Sequence, residues 1–326
     1  MSRSSLRRRT LALGPGPEFD RIREIVHVLD EQGSGIGDDC GLVQEGEGFL
    51  ALSTDVSVEG VHFRTEWISL EEAGWRATAG ALSDLAAEGA EPIGLLCAVT
   101  VPLSAAKAQL LELMSGVRAA AGSAGALVLG GDLSSGPLWS LALTVLGRTP
   151  APVTRAGAGA GDRLWVTGSL GGARAALEAW RRGEMPLPGA RARFAHPEPR
   201  IAAGRWLARH GARAMLDLSD GLGGDARHLA AASNVALEID LNSIPLAPEA
   251  HQEAARLGLA PQQFAAEGGE DYELLVAMPP EFAAREAFAN DCGTILTPVG
   301  SVVPGSGVRF QLAGHTIELH GFDHFR

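Results

Sequence analysis

The sequence predicts a mixed α/β protein of two domains, and three observations carry the prediction. A chain of 326 residues exceeds what one ordinary core organises. Strand-like apolar runs alternate with Ala-rich helical patterns in both halves. The stretch TPAPVTRAGAGAGD, residues 149–162, interrupts that alternation with the Pro, Ala and Gly composition of a linker. The boundary falls near residue 149, giving domains 1–148 and 149–326, with residues 1–17 read as a loose basic tail.

The elements follow in chain order. Phe19, Ile22, Val26 and Leu29 recur at helical spacing, so Glu18 to Leu29 reads as a short helix ending near Gly33. FLALSTD is a strand. LEEAGWRATAGALSDLAAEGA is a long helix stopped by Gly89 and Pro92. IGLLCAVTVP is a buried strand, SAAKAQLLELMSGVRAAAGSAG a second helix, and ALVLGGD and PLWSLALTVLGRT two further strands. The second half repeats the pattern: strand RLWVTGSL, helix GGARAALEAWRR, a proline-spotted stretch, helix PRIAAGRWLARHG, strand AMLDLSD, helix ARHLAAASN, strand ALEIDL, then YELLVAMP and GVRFQL. The spacing is compatible with a parallel doubly wound sheet without establishing one, and no repeat of 20 to 50 residues is present.

Composition narrows the function classes. The net charge of −12 and pI near 5.2 exclude a broad basic surface for nucleic acid or an anionic membrane, so an anionic ligand requires cations. A hydrophobic fraction of 46% with mean hydropathy +0.08 describes a chain able to bury a large core. Cys40, Cys97 and Cys292 are odd in number and scattered, which fits neither a disulfide framework nor a thiolate metal site and points to a reducing cytoplasm. The basic start has too short an apolar stretch for an export signal, and no run reaches the roughly 18 to 20 apolar residues of a membrane span.

Acidic residues carry the functional signal. FLALSTD, ALVLGGD and AMLDLSD each finish an apolar run on small residues followed by a carboxylate: Asp55, Asp132 and Asp220. Strand ends are where α/β proteins place ligands, although a single Asp there is as readily a turn or helix cap. Asp38, Asp39, Asp84 and Asp217 add carboxylates in similar surroundings. Carboxylates that converge raise one another's pKa unless a cation joins them, and hard oxygen donors without a His or Cys cluster suit Mg²⁺ or Mn²⁺. Mg²⁺ shared between carboxylates and phosphates turns an acidic pocket into a polyphosphate pocket. This resolves the paradox of GSGIGDDC, residues 33–40, where glycines suited to phosphate precede two acids: the acids hold the cation. No P-loop and no protein-kinase set is present. GSLGG at 168–172 reads as a plain turn or as part of a dinucleotide loop.

In order and spacing, GIGDDC, LSTDVSVEGVHF, GWRATAGALSDLAAEGAEP, LGGDLSSGPL, RAGAGAGDRLWVTG, LDLSDGL, GGEDYEL and GFDHF resemble the thiamine-monophosphate kinases, over about residues 35 to 325. The resemblance implies the two-domain fold of aminoimidazole ribonucleotide synthetase, a homodimer, and ATP in the cleft between the domains. It implies magnesium ligands Asp39, Ser53, Thr54, Asp55, Asp84, Asp132, Asp217 and Asp220, several ions in all. ATP contacts would be Gly131, Asp132, Arg155 and Ser219, and thiamine phosphate contacts His62, Glu270 and Phe322. Asp55, Asp84, Asp132 and Arg155 would act in catalysis through charge and metal rather than as a general base. Arg155, in a Gly/Ala stretch, is either a solvated surface cation or, the favoured reading, a guanidinium suited to phosphate oxygens; His62 read alone is a packing histidine, which the motif makes an even choice. The chain departs from the family pattern at Leu133-Ser134-Ser135, where Thr-Thr-Arg or similar is usual, and at Glu88, where methionine is common. The implied activity is ATP-dependent phosphorylation of thiamine phosphate by direct in-line transfer. The alternatives are another ATP-using synthetase of this fold and a non-catalytic metal-binding protein.

Overall fold

The structure, a computed structural model, describes residues 11–325. The first half runs α1 (Pro17–Leu29), β1 (Gly41–Glu45), β2 (Gly48–Val58), α2 (Leu70–Ala87), β3 (Glu91–Pro102), α3 (Lys107–Ser123), β4 (Leu127–Gly136) and β5 (Ser140–Thr149). The second half runs β6 (Arg163–Thr167), α4 (Gly172–Arg181), α5 (Pro188–Ala195), α6 (Ile201–Arg209), β7 (Ala214–Asp217), α7 (Leu222–Ser233) and β8 (Ala236–Asp240). It continues with α8 (Pro248–Leu257), α9 (Pro261–Ala266), β9 (Leu274–Met278), α10 (Arg285–Cys292), β10 (Leu296–Val303), β11 (Gly307–Leu312) and β12 (His315–Ile317).

Both sheets are mixed. The first has the order β1-β2-β5-β3-β4, antiparallel except for β3 beside β4. The second has the order β12-β11-β8-β10-β6-β9-β7, antiparallel except for β11 beside β8. A doubly wound parallel sheet is therefore ruled out for the described residues. Helix α5 lies in the stretch read only as proline-spotted; Pro188 at its first turn starts it rather than breaking it.

Helix α2 is the axis of the molecule. Ser69 caps it by accepting from the Glu72 amide, and the Glu72 carboxylate accepts from the Ser69 amide in return. Its small residues allow burial on nearly every side: β5 covers it through Leu141, Leu143 and Val145, and α6 covers it from the second half. At Gly204 of α6 an added Cβ would lie 1.9 Å from the Ala86 carbonyl oxygen, so the two helices meet backbone to backbone. One apolar core accordingly runs from Leu82 and Leu85 through Trp206 and Leu207 to Met215 and Val276, while a second lies under the C-terminal sheet around Leu164, Leu229, Leu237 and Phe310.

Helix α1 lies against the second half. Phe19 stacks on His228 of α7 with centroids 3.7 Å apart, and the Glu18 amide donates to Asp323. Gly14 is buried against the His228 ring. Of the basic tail, residues 1–10 lie outside the described residues.

Candidate active site

Two of the three strand-end carboxylates are not at strand ends. β2 continues past Asp55 to Val58 because its pairing with β5 runs on to Val58 opposite Ser140, and β4 continues past Asp132 to Gly136 alongside β3. Asp217 closes β7, and Asp220 follows in the turn that opens α7.

A cleft of about 970 Å³ opens between the two halves. The first half contributes Asp55, His62, Arg76 and Asp84 to its lining; the second contributes Asp217, Ser219, Asp220, Glu270 and Phe322. Asp84 and Asp217 of its lining and buried Asp39 beside them each bring an oxygen atom within 4.8 Å of the others. They come from three separate places in the chain: the loop after α1, the last turns of α2, and the end of β7. Burial, then the charge of Asp39, pushes Asp217 up to about 8. Burial, then the charges of Asp55 and Asp217, holds Asp84 well above the ordinary carboxylate range. Asp55 opens toward the cleft and is also raised, by desolvation between the walls and by Asp39. A divalent cation among these oxygen donors would relieve such mutual repulsion.

Arg155 supplies the one guanidinium on this cluster among the described residues. It lies across Asp39, itself 1% exposed, and its own amide donates to Asp38 at 3.0 Å. It is therefore not the solvated surface cation that its Gly/Ala surroundings suggest. Asp38, also accepting from the Asp39 amide, is pushed up to about 6 by burial and by Asp39. Glu88 is wholly buried behind this loop, and burial, then Asp38 and Asp39, drives its carboxyl well above the ordinary value.

Alternation along β2 separates the expected ligands. Ser53 and Asp55 share a face with Asp84, to which Ser53 hydrogen-bonds. Thr54 turns to the opposite face, where its hydroxyl meets that of Thr144 at 2.9 Å. Asp132 is set apart more decisively. Register places Asp55, Leu143, Cys97 and Gly131 in one row across the sheet, and Val56, Ala142, Ala98 and Asp132 in the next, on the other face. Three strand spacings put Asp132 roughly 14 Å from Asp55. Gly131, Asp132 and the departure Leu133-Ser134-Ser135 all lie exposed on the edge strand β4.

Toward the mouth, the Val58 amide donates to His62 Nδ1 at 3.0 Å, so the neutral ring carries its proton on Nε2. Burial, then His324, lowers the His62 pKa and favours that neutral form. His324 lies between His62 and Phe322, with ring centroids 5.2 and 4.9 Å away, and Phe322 is half exposed. Asp220 is raised to about 7 by burial, then by Glu18, and its amide donates to buried Asp225 at 3.1 Å. Arg76, His324 and Asp225 were not selected from the sequence, although GWRATAGALSDLAAEGAEP and GFDHF contain the first two; Asp225 sits inside α7 with no local signal. At GSLGG, the Gly171 amide donates to the Asp271 carboxylate at 2.8 Å. A protein carboxylate thus takes the N-terminus of α4, and the loop is a turn rather than a phosphate cradle.

Comparison with known proteins gives this fold a family. Residues 37–149 match the AIR synthase related protein, N-terminal domain family, and residues 159–313 match the AIR synthase related protein, C-terminal domain family. The thiamine-monophosphate kinase of Rhodopirellula baltica is 35% identical over 317 residues, 93% of this chain and 95% of its own. The chain belongs to the thiamine-monophosphate kinase family. The family's protein from Escherichia coli K12 is 35% identical over 329 residues, covering 94% of this chain and 95% of that one. The solved structure of AaThiL complexed with AMPPCP and TMP is similar over the full length, with 32% identity and a TM-score of 0.86, covering 100% of this chain and 99% of that one. As a thiamine-monophosphate kinase family member, the chain has the mixed two-sheet fold that the resemblance implied. Among the described residues no helix is long and apolar enough to cross a membrane.

Proposed function

We infer that this chain transfers the terminal phosphoryl group of ATP to thiamine phosphate, giving thiamine diphosphate and ADP, the last step in making that cofactor. The observation that carries the reading is the close triad Asp39, Asp84 and Asp217, of which Asp84 and Asp217 line a cleft that also presents His62, Glu270 and Phe322. The family relationship, and the nucleotide analogue and TMP held by a structure similar over the whole chain, support it.

The donor set fits Mg²⁺: oxygen atoms only, close together, with carboxyl groups whose repulsion a cation relieves. Asp39, Asp84 and Asp217 would hold such ions, with Asp55, Ser53 and Asp220 beside them, and bound Mg²⁺ would offset the charge of two meeting polyanions. Arg155 adds a forked donor for phosphate oxygens. Ser219, in the turn after β7, is on the cleft wall within reach of nucleotide. His62 offers Nε2–H, Glu270 a carboxylate suited to a cationic thiazolium ring, and Phe322 a ring face. The acceptor phosphate is already largely ionised near neutral pH, so no general base is required and transfer is direct and in line.

A homodimer completes the reading. Edge strand β4 exposes Leu127, Val128, Leu129 and Leu133, the kind of unpaired apolar edge that soluble proteins cover. A second copy covering it would carry Gly131 and Asp132, which stand three strands from Asp55 in their own chain, toward the partner's cleft. Domain 1–148 then supplies most acids and the dimer contact, domain 149–326 completes the cleft, and the three free cysteines suit the cytoplasm.

The test is an assay of the purified protein with ATP, Mg²⁺ and thiamine phosphate, scoring thiamine diphosphate and ADP. Formation of both is expected. Metal-dependent stabilisation without ADP would instead favour a non-catalytic metal-binding protein.

A further inference from the structure

We propose that Arg76 is a positioning residue for the acceptor: from the first half of the chain it fixes the Glu270 carboxylate of the second half, and so sets where a cationic ring sits in the cleft. The inference rests on the proposed function and adds a residue to it.

Arg76 lies in the Ala-rich run of α2, and its guanidinium, 3% exposed, enters the cleft wall. Three contacts immobilise it. Its Cζ stands 3.7 Å from the centroid of the Phe194 ring, its Nη1 donates to the Phe194 carbonyl at 2.5 Å, and its Nη2 pairs with Glu270 Oε1. Phe194 is itself fixed by an aromatic pillar crossing the two halves. It meets the Trp180 ring edge-on at 5.1 Å, and Trp180 stacks on Trp67 at 5.3 Å with an interplanar angle of 2°. Arg76 is thus held by the second half although it belongs to the first.

Glu270 needs such a partner. Its φ of 68° is in the left-handed region that non-glycine residues avoid, and its amide donates to the Ser219 carbonyl at 2.6 Å. The backbone is therefore constrained, while the side chain, 27% exposed, projects into an open cleft. Arg76 pairs with Glu270 Oε1, and Glu270 and His62 both line the cleft. With Nη1 donating to Phe194 and Nη2 paired with Glu270, Arg76 acts through Glu270. A buried ion pair is a poor source of stability in itself, and holding one geometry is its better-attested use.

Kinetics and calorimetric binding on the full chain test this with Arg76→Met, Arg76→Lys, Glu270→Gln and the double variants. Arg76→Met is expected to raise KM and Kd for thiamine phosphate by roughly tenfold, as loss of the ion pair that places Glu270 does. KM for ATP should move less than about twofold, Arg76→Lys should recover part of the loss, and in the Glu270→Gln background Arg76→Met should add less than about twofold. An equal rise in KM for ATP, or an undiminished effect in the Glu270→Gln background, would show a mere brace and overturn the proposal. If Arg76→Met does not fold, the cycle with Arg76→Lys decides by the same criterion. An inactive wild type would overturn the proposed function, while the same cycle read on Kd for thiamine phosphate still decides the role of Arg76.

Discussion

Arg155 grips Asp39 at two points, Nη2 to Oδ1 at 2.6 Å and Nε to Oδ2 at 3.2 Å, and so ties the linker after β5 to the loop before β1. Burial disfavours the guanidinium's charge, but Asp39 more than offsets it, by its charge first and its hydrogen bonds second. A fork of this kind fits a carboxylate and a phosphate equally well. A cation bound at Asp39 would therefore free the Arg155 fork for a phosphate.

Replacing Arg155 by Lys keeps the charge and loses the fork. KM for ATP should rise roughly tenfold, with the melting temperature lowered because Asp39 keeps only a weaker partner. Steady-state kinetics with ATP varied, alongside thermal melts, checks both.

Asp55→Asn and Asp132→Asn should each abolish turnover without unfolding the protein, read by activity and circular dichroism. Mixing the two dead variants distinguishes where Asp132 acts. If it serves the partner's cleft, half the random dimers are mixed and each has one intact site, so about one quarter of wild-type activity returns. If Asp132 serves its own chain, mixing restores nothing.

The acidic cluster makes metal-free stability depend on pH. Asp38, Asp220 and Asp217 titrate near 6, 7 and 8 in the folded protein, against 3.8 ordinarily. Between about pH 4 and 8 these carboxyls keep protons in the folded state that the unfolded chain has released, which lowers stability as pH rises; His228, lowered to about 3 by burial, opposes this up to about pH 6.5, so the fall is clearest between about pH 6.5 and 8. Glu273, lowered where Arg200 and Thr167 outweigh its burial, works in the opposite sense but below this window. Melting without metal should be lower at pH 8 than at pH 6, and Mg²⁺ should raise it more at pH 8. A Mg²⁺ effect independent of pH would count against these residues as ligands.

Gly204→Ala should push α6 off α2, since the new Cβ would collide with the Ala86 carbonyl. A loss of about 1–3 kcal/mol is expected, measured by urea unfolding, with activity falling because α2 carries both Asp84 and Arg76.

The sequence alone determined what periodicity and local chemistry encode. Helix α2 and its stop at Gly89, the alternation of elements in both halves, and the small-residue settings of Asp39, Asp55, Asp84 and Asp217 were all legible, because a helix stripe, a strand run or a carboxylate in a glycine loop is a property of neighbours in the chain. Short elements such as β1, β10 and α8 to α10 were missed; they have little periodicity of their own and exist because a sheet or helix already formed packs against them. Only the tertiary structure decided which acids meet. Strand order and register are contacts between distant segments: they put Ser53 and Asp55 on the cleft face, Thr54 on the other, and Asp132 three strands away on an open edge. Arg155 and Arg76 show the same limit. Each is an arginine without a helpful neighbour in sequence, and each acquires its role from a carboxylate that folding brings to it, Asp39 for one and Glu270 for the other.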